Sequence, residues 1–314
     1  MLLARTANNL FWLARYVERA ENTARILDAA ARLSALPAGY GGTSNEWMSA
    51  VSATGGLSLY KELYDDESHR SVIDFLAFSP HNPSSIRSCI EAGRSNARAV
   101  RTAITAEMWD SINGAWLELK QFPAEGLTRP RLNELLSFVK ESSLRFDGSA
   151  YRTMLRNDAY YFTRLGSYLE RSDATARILD VKYHVLLPEG QPVGGSLDYF
   201  QWSSILRSVS ALTAYNWVYR QNLRPWLVAD LLILKREMPR SLASAYENLT
   251  RFLDEIARDY GRQGTSQRLA RSTFARLQNS DIDSVFSEGL HEFLLSIIAE
   301  NNRLGGAIAE QYLS

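Results

Sequence analysis

A single cysteine, Cys89, leaves the chain unable to form a disulfide with itself, and a reducing compartment fits that scarcity. Neither charge is in surplus: 35 basic and 35 acidic residues give a formal net charge of zero. General nucleic-acid binding and anionic-membrane binding both need a basic excess, so neither partner is expected. Long apolar runs are missing as well. The longest, such as "LVADLLIL", fall far short of the roughly 20 residues of a membrane span. The opening "MLLARTANNL" lacks a basic stretch followed by an extended apolar core, so no signal peptide is read there. A cytoplasmic protein is the expectation. Histidines number four and stand apart, so no catalytic triad or metal-ligand spacing can be built from them. His69, in "DDESH", reads as part of a solvated helix start rather than a divalent-metal site. No metal and no cofactor is expected.

Lysine is scarce too. It occurs at Lys61, Lys120, Lys140, Lys182 and Lys235, and the other thirty basic residues are arginine. A guanidinium fork holds carboxylates and phosphates in fixed geometry.

What is abundant is helical periodicity. No alternating strand run is bounded by turn residues, which predicts an all-α fold, a helical bundle. Leu10, Leu13, Val17, Ala20, Ala24, Leu27 and Ala31 recur at spacings of three and four, predicting a packed first helix over Thr6–Leu36. Further helices are predicted over Ser68–Phe78, Ser84–Phe122, Arg131–Leu155, Asp158–Leu187, Tyr199–Gln221, Pro225–Leu234, Pro239–Tyr260 and from Asp281 onward. Glycine and proline cluster in Leu36–Ser44 and Leu187–Ser196, which read as connectors.

The chain also repeats itself. Leu10–Asp28 matches Phe162–Asp180 at ten of nineteen positions, including Tyr16, Glu18, Arg19, Thr23 and Arg25. Farther on, Val72–Glu91 aligns without gaps to Val228–Glu247, sharing Val72, Asp74, Leu76, Pro83, Ser85, Ser88 and Glu91. Order is preserved. A tandem duplication into repeats of about 1–155 and 156–314 is the simplest account, and we expect one domain over 1–314 with pseudo-two-fold symmetry.

The repeated helix carries many charges: Glu18, Arg19, Glu21, Arg25 and Asp28, then Glu170, Arg171, Asp173, Arg177 and Asp180. At about 100° per residue, Asp28, Glu21, Arg25 and Glu18 line one edge of the apolar stripe, while Arg19 points to another face. A buried charge needs a partner. Glu21–Arg25 and Asp173–Arg177 have the favourable i, i+4 order. For the rest, an antiparallel crossing of the two copies is expected, bringing Glu18 to Arg177 and Arg25 to Glu170. The cluster is open to two main uses, a structural ion-pair network or a site for a small charged or peptidic ligand. A metal is disfavoured, because a guanidinium lies one turn from each pair of acids and competes for them.

The stretches "RTANNLFWLARYVERAENTARILD" and "LERSDATARILD" resemble the alpha-E family, helical domains of unknown function with a Glu-Arg signature. The similarity covers nearly the whole chain. It places the signature at Glu18 and Arg19, with an equivalent at Glu170 and Arg171. The resemblance implies a circularly permuted ATP-grasp protein as partner, often with a transglutaminase-like protein. The implied role is accessory or binding, in ATP-dependent peptide or amide metabolism. Two alternatives stand beside it: an enzyme acting on a peptidic or amino-acid-like substrate through the Glu/Arg cluster, and a structural scaffold forming homo-oligomers.

Overall fold

The three-four apolar spacing produces, in the computed structural model, a 30-residue helix, α1 (Ala4–Leu33), buried on almost every side. The structure describes residues 2–35, 46–123, 126–184 and 196–314. Every regular element among them is helical. After α1 come α2 (Glu46–Ala53), α3 (Leu57–Leu63), α4 (His69–Ile73), α5 (Ile86–Ala99), α6 (Ala106–Leu119) and α7 (Arg129–Thr153). The second long central helix is α8 (Asp158–His184). It is followed by α9 (Ser196–Ser208), α10 (Leu212–Tyr219), α11 (Pro225–Ile233), α12 (Leu242–Tyr260), α13 (Thr265–Asn279), α14 (Ile282–Glu288) and α15 (Leu290–Ile308). Single π-helical turns close α4 at Asp74–Phe78 and α15 at Ala309–Leu313. Among the described residues no helix is long and apolar enough to cross a membrane. The glycine loops at Gly41–Thr43 and Gly194–Gly195 lie outside the described residues.

Local chemistry sets the boundaries. Side chains of Ser68, Ser85, Thr105, Ser241 and Asp281 accept a hydrogen bond from the third following backbone N–H, capping α4, α5, α6, α12 and α14. Proline stands in the first turn of α7 and α11, where its missing N–H costs nothing. Three predicted helices are broken. The Thr105 cap starts α6 afresh, so Ser84–Phe122 is two helices. Ser210 takes a left-handed backbone (φ 58°) between α9 and α10, dividing Tyr199–Gln221. Gly289 (φ 99°) parts α14 from α15. The helices α2, α3 and α13 went unpredicted, because each is short or carries its apolar residues on a thin stripe.

The packing has α1 and α8 side by side at the centre. α1 packs on α5 and α7, with α6 between those two; α8 packs on α12 and α15, with α13 between them. One buried apolar cluster includes residues from Ala7 to Tyr312.

α1 and α8 run in the same direction. The backbone N–H of Leu2 donates to Asp158 at 2.7 Å, Gly166 meets Phe11 and Ala14, and Glu170 meets Arg15 and Arg19. Position rises together along both helices, which overturns the antiparallel crossing. The closest approach is at Gly166, where an added Cβ would stand 2.1 Å from the Phe11 carbonyl oxygen. Neither backbone yields easily. Gly166→Ala is therefore expected to destabilise by about 1–3 kcal/mol or somewhat more, despite alanine's better helix propensity. A urea denaturation midpoint equal to or above wild type would refute that close contact.

Candidate functional site

Where α1 and α8 touch, two carboxylates and two guanidiniums exchange partners. Glu18 of α1 accepts both fork hydrogen bonds of Arg171, from Nε at 3.0 Å and Nη2 at 2.7 Å. Glu170 of α8 accepts the fork of Arg19 in the same way, at 2.6 and 3.0 Å. Each Glu-Arg dipeptide therefore splits, its two members serving opposite ends of the exchange. This follows from helix geometry, since neighbours in sequence point about 100° apart. Glu18 and Glu170 are 4% and 5% exposed, so the exchange lies in the interior.

Each carboxylate has a further arginine, from a different place. Arg240, just before α12, donates to Glu18 at 3.2 Å and to Glu21. Glu170 receives Arg15 at 2.8 Å, one turn before Arg19 on α1. Burial is the largest influence on Glu18 and pushes its carboxyl upward. The charges of Arg171, Arg240 and Arg25 together outweigh it, holding the carboxyl down at about 2. Glu170 is lowered likewise, burial being overcome by Arg19 and Arg15.

The other charges of the repeated helix separate from this exchange. Glu21 is bonded by Arg25 at 2.8 Å and by the Ser143 hydroxyl at 2.6 Å. Arg25 also donates to the Ser208 carbonyl at 2.6 Å, so it does not reach Glu170. Asp28 binds Arg32 at 3.0 Å and Lys140 at 3.1 Å. Asp180 meets His291 at 2.6 Å. Arg177 bonds Asp173 at 2.5 Å, not Glu18. The expected Glu18–Arg177 and Arg25–Glu170 pairs fail for one reason: the helices are parallel, so residues at the same height on each helix meet.

Beside the Glu170 half of the exchange lies a cavity of about 210 Å³, lined by Arg15, Arg19, Asn22, Thr23, Thr54, Ser84, Glu170, Asp173, Arg177 and Asn302. Ser84 stands 156 residues before Arg240, at the aligned position. Where Arg240 reaches in to Glu18 and Glu21, Ser84 is short and lines open space. Gly55, in the left-handed region (φ 73°), gives Arg177 room: a Cβ there would stand 3.3 Å from Arg177 Nη1.

Donors and acceptors at the cavity are unbalanced. Within the described residues, neither Nη of Arg15, nor Nη1 of Arg19, nor either Nη of Arg177 donates a hydrogen bond. Asn22 Oδ1 and Asp173 Oδ1 are buried with no partner. Such orphaned acceptors cost free energy, and native proteins rarely keep them without use. The cavity thus offers cationic donors for an anion, while the two unpartnered acceptors are enclosed in its wall.

A family model covers residues 2–313, described as a predicted alpha-helical domain with a conserved ER motif. The chain belongs to the Alpha-E family. Glu-Arg occurs in it at 18–19 and 170–171 alone, the two dipeptides that trade partners between α1 and α8. No curated protein and no solved structure matches the chain.

The surroundings of this Alpha-E motif include residues that the sequence reading missed. Arg15 had a signal, lying one turn before Arg19 on the same face. Arg240 had one too, in its alignment with Ser84. Asn22, Thr54, Ser143 and Asn302 had none, since their roles depend on which helices meet.

Asp173 is the costly member. Burial raises its carboxyl above the ordinary 3.8, and Arg177 offsets that only in part. A carboxyl with a raised folded value lowers stability as pH climbs past its unfolded value, because the folded chain gives up the proton later. Asp173→Asn is therefore expected to keep or raise the urea midpoint at pH 7. It should also flatten the dependence of stability on pH just above 3.8. A clear loss of stability at pH 7 would show that the Arg177 pair dominates instead.

Proposed function

We propose that this Alpha-E protein is a non-catalytic binding protein, accessory to an ATP-grasp ligase system in peptide or amide metabolism. Its cavity would hold a carboxylate, as at an amino acid or a peptide C-terminus. The observation that carries the reading is the convergence, in one cavity, of guanidinium ends on Arg15, Arg19 and Arg177 that donate to no group of the described residues. Arginine suits planar carboxylates. At about 210 Å³ the cavity is smaller than the ~300–1,000 Å³ of drug-sized sites, which favours a group of one or two residues.

Non-catalysis is supported by the state of the reactive groups. Glu170 is clamped by two arginines and is a poor base. Burial pushes the nearby Cys89 thiol up to about 12, too high for a nucleophile. The ATP-grasp setting, with a transglutaminase-like protein as a further partner, rests on the family resemblance. A second reading, an enzyme in its own right, rests on Asp173, whose raised carboxyl has the character of an acid–base group.

We read the chain as one domain made of two repeats about a pseudo-two-fold axis along α1 and α8. Matched interactions support this. Thr23 donates to the Ser84 carbonyl and Thr175 to the Arg240 carbonyl. Tyr64 donates to Asp74 and Tyr219 to Asp230, each at 2.5 Å. Tyr60 donates to the Asp66 carbonyl and Tyr215 to the Asn222 carbonyl.

Gentle purification of the full chain from its native organism, with mass spectrometry of proteins and small molecules, tests the role. Recovery of an ATP-grasp protein is the supporting result. A chain that purifies alone and turns over a candidate peptide would establish the enzyme reading instead. Calorimetric titration with N-acetylglycine and its amide tests the cavity. The acid should bind at least tenfold better than the amide, and Arg177→Gln should remove that preference.

A further inference from the structure

A second depression, about 400 Å³, lies one turn up α1 and is lined by Asn8, Trp12, Tyr16, Ala92, Ser95 and Asn96. Its floor is a pair of half-buried aromatic rings: Trp12 and Tyr16 lie 5.5 Å apart, tilted by 34°. The same arginines that wall the cavity back these rings. The Arg15 guanidinium is 4.5 Å from the Trp12 ring centroid, and that of Arg19 is 5.7 Å from Tyr16.

The two depressions share one face of α1. With Arg15 at zero and about 100° per residue, Asn22, Asn8, Arg19, Trp12, Thr23 and Tyr16 fall between roughly −20° and +100°. From Asn8 to Thr23 is fifteen steps, about 22 Å of helix at 1.5 Å each. An extended chain covers that distance in about six or seven residues, at 3.3–3.6 Å apiece. Along the upper part, the side chains of Asn8, Ser95 and Asn96 form no hydrogen bond within the described chain.

We infer that the cavity is the anchoring end of a peptide track, and that its ligand is an extended peptide of about six residues with a free C-terminal carboxylate, laid along α1 over Trp12 and Tyr16. The inference rests on the binding reading above and extends it from a terminal group to a polymer. The carboxylate sits among Arg15, Arg19 and Arg177. An apolar side chain covers the aromatic pair, and Asn8, Ser95 and Asn96 meet the backbone, whose alternating donors and acceptors suit amide and hydroxyl groups. A nucleotide fits less well. The three guanidiniums face two carboxylates, Glu170 and Asp173, leaving a small excess of positive charge that matches one carboxylate better than a phosphate chain.

The test uses the full chain and a degenerate hexapeptide pool with an N-terminal fluorophore, made with free carboxylates and as amides. Retention is read by equilibrium dialysis beside N-acetylglycine and adenosine monophosphate. The expected result has three parts. The acid pool is retained at least tenfold better than the amide pool and better than N-acetylglycine. Trp12→Ala cuts pool binding about tenfold more than it cuts N-acetylglycine binding. On the wild-type chain, the Trp12 indole N–H resonance shifts with the pool and not with N-acetylglycine, which keeps the test valid if Trp12→Ala folds poorly. If N-acetylglycine binds but the pool gains nothing from Trp12, the track is overturned and the binding reading stands. If adenosine monophosphate moves the Trp12 resonance and displaces the pool, the ligand is a nucleotide and the inference falls. If no probe binds, track and binding reading fall together.

Discussion

Glu18→Ala should destabilise the chain by about 3–5 kcal/mol, the largest effect expected of any single polar substitution here. The carboxylate accepts the Arg171 fork and one bond from Arg240, all in the interior. Removing it strands those two cations near a third, Arg25, with little solvent to screen them. Domains of this kind are stable by only ~5–15 kcal/mol, so the variant would lose a large share of its margin. The loss comes from the orphaned arginines rather than from missing attraction, so removing the partner as well should recover much of it. Glu18→Leu with Arg171→Met is expected to be clearly more stable than the sum of the single changes. Arg32→Ala is the control: Arg32 is half exposed, and its bond to Asp28 should be worth less than about 1 kcal/mol. Urea denaturation of these variants beside wild type checks all of this. Additive effects at Glu18 and Arg171 would show that the pair is not coupled.

Acid should unfold the protein through the same residues. The Glu18 carboxyl, ordinarily near 4.5, is held at about 2 in the folded chain. The unfolded chain therefore takes up the proton first as pH drops. The stability that Glu18 contributes is fully present above about 4.5 and is lost as pH falls through about 2. A tenfold change in acidity corresponds to about 1.4 kcal/mol, which makes this window worth about 3 kcal/mol. Glu170 moves in the same direction and adds to it, whereas Asp173, with its raised carboxyl, opposes it in part. The urea midpoint should be nearly flat from pH 7 to 5 and then fall steeply. In Glu18→Gln the midpoint is lower at pH 7 and its fall below pH 4.5 is shallower. A slope unchanged by that substitution would locate the acid sensitivity elsewhere.

How much of this was legible in the sequence depends on distance along the chain. The helical class and the two long helices follow from local spacing, which needs no knowledge of tertiary contacts. The i, i+4 pairs Glu21–Arg25 and Asp173–Arg177 are local for the same reason, and both form. Partner choice across 150 residues is different. It turns on whether two helices run parallel or antiparallel, and an edge of charges looks the same either way. Gly166 held the decisive hint: aligned with Ala14, it marks small residues at one point of both helices, where the two come closest. The cavity was harder still. It exists because Ser84 is small where Arg240 is long, and because Gly55 turns aside, and neither fact is visible in a helical wheel.

The exchanged pairs also govern the order of events during synthesis. Glu18 waits for Arg171 and Arg19 for Glu170, contacts 153 and 151 residues apart. A ribosome adding about 5–20 residues per second needs roughly 8–30 s to bridge that gap. Throughout it, α1 has emerged with Glu18 and Arg19 unpaired and its apolar flanks without α8. Contacts of such high order close late and slow the search for the native state. The first half of the nascent chain can pack α1 on α5 and α7 as it emerges, but the face of α1 that meets α8 stays open until α8 arrives beside it.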